Sequence, residues 1–124
     1  MADNADEYAR THPVVFFVGN NDNRRQQIQD EALKCSSKAR PYQIIDKSGL
    51  IAVYDRPNLI FVDVSPKGGL DLLKDIWGSY AENNRPLICA VGPTKLKKHC
   101  KEVPGIEYIN NARAARTFLE NRTA

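Results

Sequence analysis

Five short apolar runs recur along the chain, at residues 13–19, 42–46, 59–64, 85–92 and 106–110. Two of them, "PVVFFVG" and "LIFVDV", are continuous rather than alternating, which favours strands that are buried on both faces. Pro, Gly, Asn and Asp stand at the ends of the runs and mark turns. The pattern predicts five strands of a sheet that has no solvent-facing side.

Amphipathic segments separate the strands and predict helices. The first begins after residue 19, where Asn21, Asp22 or Asn23 can cap it, and Asn23 and Gln26 stand at capping-box spacing. The others are "SGLIAVYD" (48–55), "GGLDLLKDIWGSYAEN" (68–83), "TKLKKHCKE" (94–102) and "ARAARTFLENRT" (112–123). Apolar residues at three- and four-residue spacing predict the buried helix faces: Ile28, Ala32, Leu33 and Cys35 or Ser36; Leu70, Leu73, Ile76, Trp77 and Tyr80; Ala115, Phe118 and Leu119.

Strand and helix therefore alternate five times, which indicates an α/β fold with a parallel sheet covered on both sides. Right-handed crossovers favour a flavodoxin-like, doubly wound (βα)5 sandwich with strand order 2-1-3-4-5. We expect one domain over residues 13–122, preceded by a flexible polar leader over residues 1–12. Functional groups in such a sheet gather at the carboxyl ends of the strands.

Composition narrows the function classes. The chain has 124 residues, of which 42% are hydrophobic and 27% charged, as in ordinary soluble domains. No apolar run approaches the roughly 20 residues that span a bilayer, and three cysteines without CxxC spacing predict neither a disulfide framework nor a zinc site. The net charge of +3 is too small to indicate nucleic-acid binding, although residues 93–102 form a basic segment. We expect a cytoplasmic protein.

One carboxylate, Asp63, stands at the end of the third strand and is followed by a Ser-Pro-Lys-Gly-Gly turn. From residue 13 to 122 the chain resembles the receiver domains of two-component response regulators, the CheY-like fold. "PNLIFVDVSPKGGLDLL" (57–73) is similar to the family's third strand with its phosphoaccepting Asp, and to the loop and helix that follow. "RPLICAVG" and "IEYINNARAARTFL" are similar to the fourth strand and to the last strand and helix of the family.

The resemblance also identifies pocket positions that carry unusual residues. Gly19 and Asn20 stand where the family has an acid pair that binds Mg²⁺, and Asp22 lies too far along to replace it, so Asp22 is interpreted as a helix cap. Val91 replaces the hydroxyl residue after strand four, and Asn111 replaces the Lys after strand five. Without the Mg²⁺ ligands, the hydroxyl and the Lys, nothing at these positions stabilises the negative charge of a phosphoryl group. We therefore predict a pseudo-receiver in which Asp63 is vestigial, hydrogen-bonded to loop amides or Ser65, with no cofactor, no Mg²⁺ and no enzymatic activity.

The same resemblance implies a partner or dimer face on helix four, strand five and helix five. Its residues are Lys97, Lys98, Lys101, Tyr108, Arg113 and Arg116. The predicted function is a phosphorylation-independent interaction or dimerisation module in signal transduction, without membrane or nucleic-acid partners. Two alternatives stay open. One is a small-ligand or anion-binding domain that uses backbone N–H groups of residues 19–23, beside Gly92 and Pro93. The other is a receiver that is phosphorylated at Asp63 by an unconventional route.

Overall fold

Five parallel strands form one sheet in the order β2-β1-β3-β4-β5, as predicted. The computed structural model describes residues 12–35 and 38–123, so that the leader up to residue 11, and Ser36, lie outside the described residues. The elements follow in chain order: β1 (Val14–Val18), α1 (Asp22–Ala32), β2 (Arg40–Ile44), α2 (Lys47–Ala52), β3 (Leu59–Asp63), α3 (Gly69–Gly78), β4 (Leu87–Val91), α4 (Lys97–Lys101), β5 (Glu107–Ile109) and α5 (Ala114–Thr123).

Alternate residues of each central strand serve two cores, one on each face of the sheet. In β1, Phe16 belongs to the core under α2, α3 and α4, whereas Phe17 belongs to the core under α1 and α5. Phe61 of β3 joins the second core and stacks on Phe17 at 5.6 Å between ring centroids. The predicted inward residues of the last helix, Ala115, Phe118 and Leu119, are all buried there. This double burial explains why the strand segments lack polar alternation.

Some predicted boundaries were wrong. β2 begins two residues before the predicted start at residue 42 and includes Pro41, which an edge strand tolerates because its outer N–H groups need no partner. α3 ends at Gly78, well short of the predicted helix end at residue 83. Glycine propagates a helix poorly, and Arg85 then closes the helix by donating from Nε to the carbonyl of Trp77 at 3.1 Å. Tyr80 therefore packs against the core from outside the helix.

The start of α1 also differs from the prediction. Asn21 is the N-cap, with extended backbone and a side-chain oxygen that accepts from the N–H of Arg24 at 3.0 Å. The capping box of Asn23 with Gln26 was wrong, because the helix already begins at Asp22. Of the predicted buried face, Ile28 and Ala32 are buried.

Among residues 12–35 and 38–123, no helix is long and apolar enough to cross a membrane. The same part of the chain holds no group of three or more His, Cys, Asp or Glu side chains that is arranged to bind a metal ion.

Candidate functional site

Asp63 is the last residue of the central strand β3 and is almost completely buried, with 1% of its surface exposed. Its Oδ1 accepts a hydrogen bond from the backbone N–H of Ser65 at 3.1 Å, which confirms the predicted bond to the following loop. Its Oδ2 accepts from Nε of Arg24 at 3.0 Å. Both oxygens of the buried carboxylate are thus occupied within the protein, as a buried charge requires.

Arg24 was not among the predicted site residues. It stands in the first turn of α1, and its Nη2 also donates to Oγ of Ser65 at 2.7 Å, so one guanidinium joins the acid to the loop after it. Its side chain is 44% exposed, so one edge faces Asp63 and the other faces solvent. The predicted topology indicates only the neighbourhood in which a partner for Asp63 should lie. Because α1 follows β1 and β1 pairs with β3, a cation near the start of α1 can reach a buried acid at the end of β3.

Arg25, the next residue, was missed as well and is buried. Its Nη1 donates to the carbonyl of Gly19 at 2.6 Å, its Nη2 pairs with Asp22 at 2.7 Å, and its Nε donates to the side chain of Gln43. The interpretation of Asp22 as a helix cap was wrong, because its carboxylate pairs with Arg25 while Asn21 caps the helix. Asp22 is thereby held by Arg25.

The residues at the other receiver-pocket positions make no hydrogen bond or ion pair with Asp63 in the part of the chain that the structure describes. Gly19 is buried so close to the acid that a Cβ added there would lie 3.1 Å from the Cβ of Asp63. Asn20 is exposed in the loop, and Val91 is fully buried opposite Asp63 in the sheet register. Asn111 caps α5, since its Oδ1 accepts from the N–H of Ala114 at 3.0 Å. Of the residues at the receiver-pocket positions, Asp63 is therefore the one with a charged side chain, and its ion-pair partner is Arg24.

The predicted backbone anion cradle at residues 19–23 is partly closed. The N–H of Gly19 donates to the carbonyl of Ile44 at 3.0 Å, and the N–H of Arg24 donates to Asn21. Within residues 19–23 the N–H of Gly19 is therefore engaged within the chain, and the second engaged N–H belongs to Arg24, directly after the predicted cradle.

The residues predicted for a partner face fall into two groups. Tyr108 is half-buried on β5, donates from its hydroxyl to the carbonyl of Gly92 at 2.7 Å, and has the Nζ of Lys97 5.9 Å from its ring centroid. Lys101 donates to the carbonyl of Ile106 at 3.1 Å, and Lys98 is exposed on α4. These residues together form the α4–β5 surface, namely Lys97, Lys98, Lys101 and Tyr108.

Arg113 and Arg116 lie on the side of the molecule that α1 shares with α5. Arg113 lines a cleft together with Arg24. Burial raises the pKa of the Cys35 thiol near the end of α1, Glu120 adds to this shift, and Arg116 opposes it. Both arginines therefore face the α1 side rather than the α4–β5 surface.

Comparison with known proteins places the fold. No protein-family model matches the sequence, and no curated protein matches it. Solved structures do: the phosphorylated cyanobacterial phytochrome response regulator RcpA superposes with a TM-score of 0.64 at 18% identity, over 90% of this chain and 91% of that one. The chemotaxis response regulator CheY4 of Vibrio cholerae gives 0.65 at 17% identity, over 92% of this chain and 100% of that one. The receiver domain of NtrX from Brucella abortus gives 0.64 at 18% identity, over 89% and 97%. The chain thus has the fold of response-regulator receiver domains.

Proposed function

We propose that this receiver fold serves in signal transduction as a protein-interaction module that does not depend on phosphorylation of Asp63. The observation that carries the proposal is the contact of Arg24 with Asp63: a cation of the chain itself stands against the buried carboxylate. Arg24 is part of the chain, so a positive charge stands beside Asp63 without any metal ion being bound.

Phosphoryl transfer to a carboxylate depends on a free attacking oxygen and on cations around the transferring group. At Asp63, Oδ2 is held by Arg24 and Oδ1 by the N–H of Ser65. Val91 offers no hydroxyl, and the Oδ1 of Asn111 is used to cap α5. An incoming phosphoryl group would therefore have to displace Arg24 and would find no second cation among these positions.

A magnesium ion, which receiver domains of this fold imply, fits these residues poorly. Mg²⁺ prefers oxygen ligands that include one or two carboxylates. Gly19 and Asn20 carry no carboxylate, Asp22 is paired with Arg25, and the single acid Asp63 is paired with Arg24. We accordingly propose a module without metal, without cofactor and without catalytic activity, and its location in the cytoplasm stays a prediction.

The α4–β5 surface is the proposed contact face. The hydroxyl of Tyr108 donates to the carbonyl of Gly92, which orients its ring, and the Nζ of Lys97 lies 5.9 Å from the centroid of that ring. Lys98 and Lys97 are exposed and give the face a positive charge. Such a face suits an acidic surface of a signalling partner or of a second copy of the chain.

An NMR titration with Mg²⁺, followed by beryllofluoride as a phosphoryl mimic, tests the proposal. We expect the amides of Gly19, Asp63 and Val91 to keep their chemical shifts throughout. A saturable change that begins at Asp63 and extends to Tyr108 would contradict phosphorylation independence. The variant Arg24→Gln serves as the comparison, because a response that occurs only in that variant would assign the closure of the site to Arg24.

The contact face is tested separately by sedimentation of the chain over a range of concentrations. If a second copy is the partner, the charge reversal Lys98→Glu should weaken self-association, whereas Lys74→Glu on α3 should leave it unchanged. Lys74 is exposed on another helix of the same layer and so matches the change in net charge. A chain that is monomeric at all concentrations would exclude the second copy and leave a different protein as the partner.

A further inference from the structure

A cleft of about 580 Å³ opens beside Arg24, between α1 and α5 at the carboxyl edge of the sheet. This volume falls within the roughly 300–1,000 Å³ of small-molecule sites. Its walls combine hydrogen-bonding and apolar groups, which is the usual make-up of such sites. Polar side chains of the lining include Arg24, Gln27, Asn110 and Arg113, and apolar ones include Ile28, Pro93 and Ala112.

Two arginines line this cleft: Arg24 belongs to α1, and Arg113 directly precedes α5. Arg24 donates Nε to Asp63 and Nη2 to Ser65, so that its remaining N–H groups make no hydrogen bond with the described residues. The side chain of Arg113 is exposed and makes no ion pair or hydrogen bond within residues 12–35 and 38–123. A guanidinium carries five N–H donors in a fixed fork. Most N–H donors of the two guanidinium groups therefore make no hydrogen bond with the described residues and can bind a ligand.

Of the two arginines that line the cleft, Arg113 has no ion-pair partner within residues 12–35 and 38–123. Asp63 offsets the charge of Arg24, with which it is in contact at 3.0 Å. Glu31 also lines the cleft, but it pairs with Lys34 at 2.9 Å. With respect to the residues that the structure describes, the lining thus presents one neutralised cation, Arg24, and one without an acidic partner, Arg113. The amides of Gln27 and Asn110 lie beside them.

We propose that this cleft binds a small phosphorylated molecule, with its phosphate between Arg24 and Arg113. Arginine matches the oxygens of a phosphate through paired N–H donors, and a tetrahedral anion can accept from two sides of a cleft at once. The cleft is larger than a phosphate ion needs, and its Ile28 and Ala112 wall suits the organic part of an ester. The cleft shares Arg24 with the contact to Asp63 that carries the proposed function, but its other cation, Arg113, and its walls lie outside the α4–β5 surface. Binding of a phosphorylated molecule here can therefore fail while the proposed function stands, and the reverse.

The test uses phenyl phosphate and inorganic phosphate as probes, titrated into the full chain and followed by NMR. We expect saturable shifts of the Arg24, Asn110 and Arg113 amides, with phenyl phosphate binding more tightly than inorganic phosphate. Arg113→Gln should weaken binding about tenfold or more, since a charge-assisted hydrogen bond is removed. Arg113 makes no contact on which folding depends, whereas Arg24 does, so Arg113 is the variant to use. Lys74→Gln removes the same charge on the opposite face of the sheet and should leave the affinity unchanged.

Three results would overturn the proposal. Shifts that do not saturate, or that weaken equally in Arg113→Gln and Lys74→Gln, would mean general attraction to positive charge. Saturable binding that is unaffected by Arg113→Gln would place the anion elsewhere. Equal affinity for inorganic and phenyl phosphate would remove the organic part from the proposal and identify free phosphate as the ligand.

Discussion

The Nε atom of Arg24 lies 3.0 Å from Oδ2 of Asp63, although 39 positions of the chain separate the two residues. The two partners differ in their access to water: the side chain of Asp63 is 0% exposed, and that of Arg24 is 44% exposed. If the pair is broken, Arg24 can turn to solvent, but Asp63 cannot. The acid therefore depends on the arginine more than the arginine depends on the acid.

We expect this asymmetry in a double-mutant cycle. Arg24→Met should lower the free energy of unfolding by about 2 kcal/mol, less than for a fully buried pair because Arg24 is partly solvated. Asp63→Asn should cost about 1 kcal/mol, since an amide can still accept from the N–H of Ser65 while Arg24 turns outward. Urea unfolding of both single variants and of the double variant measures the two costs and their coupling. A larger loss for Asp63→Asn than for Arg24→Met would contradict this assignment.

The fold was predictable because burial on both faces of the sheet leaves a direct trace in the sequence, as the continuous runs of β1 and β3 illustrate. The boundaries of β2 were not predictable, because a strand tolerates Pro41 only if it lies at an edge of the sheet. Asp63 could be singled out by its position after an apolar run. Its partner Arg24 could not, because that contact depends on how α1 packs over the ends of β1 and β3. Nothing local distinguishes Arg24 from an ordinary surface arginine.

Two glycines of α3 should respond oppositely to alanine. A Cβ at Gly69 would overlap the backbone of Val64, and backbone cannot move aside as a flexible side chain can. Gly69→Ala should therefore lower the free energy of unfolding by roughly 1–3 kcal/mol or more. A Cβ at Gly78 would meet no described atom within 4 Å beyond its chain neighbours and the backbone of its own helix. Gly78→Ala should therefore raise the free energy of unfolding by up to about 1 kcal/mol through better helix propensity. Thermal unfolding of the two variants measures both effects. A Gly69→Ala variant that is more stable than the original chain would contradict the close approach of α3 to the loop after β3.

The hydroxyl of Tyr108 should contribute measurably to stability. It donates to the carbonyl of Gly92 at 2.7 Å, and Tyr108→Phe leaves that carbonyl without this donor. We expect a loss of about 0.5–1.5 kcal/mol in the free energy of unfolding. Tyr54 is fully exposed at 104% and supplies the control, since Tyr54→Phe should change nothing. Equal effects of the two substitutions in urea unfolding would mean that the bond of Tyr108 does not hold in solution.

The three cysteines should differ strongly in their reaction with iodoacetamide, which attacks the thiolate. Cys89 and Cys100 are fully buried, and burial raises the pKa of both thiols. They should stay unlabelled in the native protein, because reagent access and ionisation both require the core to open. Cys35 is only half-buried and should react first, as mass spectrometry of the intact chain and its peptides can follow.

The reaction of Cys35 should also depend on pH in a defined direction. Burial raises the pKa of its thiol, so the neutral form predominates at pH 7 and labelling is slower than for an ordinary exposed thiol. Below that pKa the thiolate fraction, and with it the rate, should increase about tenfold per pH unit. The variant Cys35→Ser should take up no label under the same native conditions, and urea should then expose Cys89 and Cys100. If Cys89 or Cys100 is labelled as fast as Cys35 without denaturant, the core that holds that cysteine opens far more readily than its packing implies.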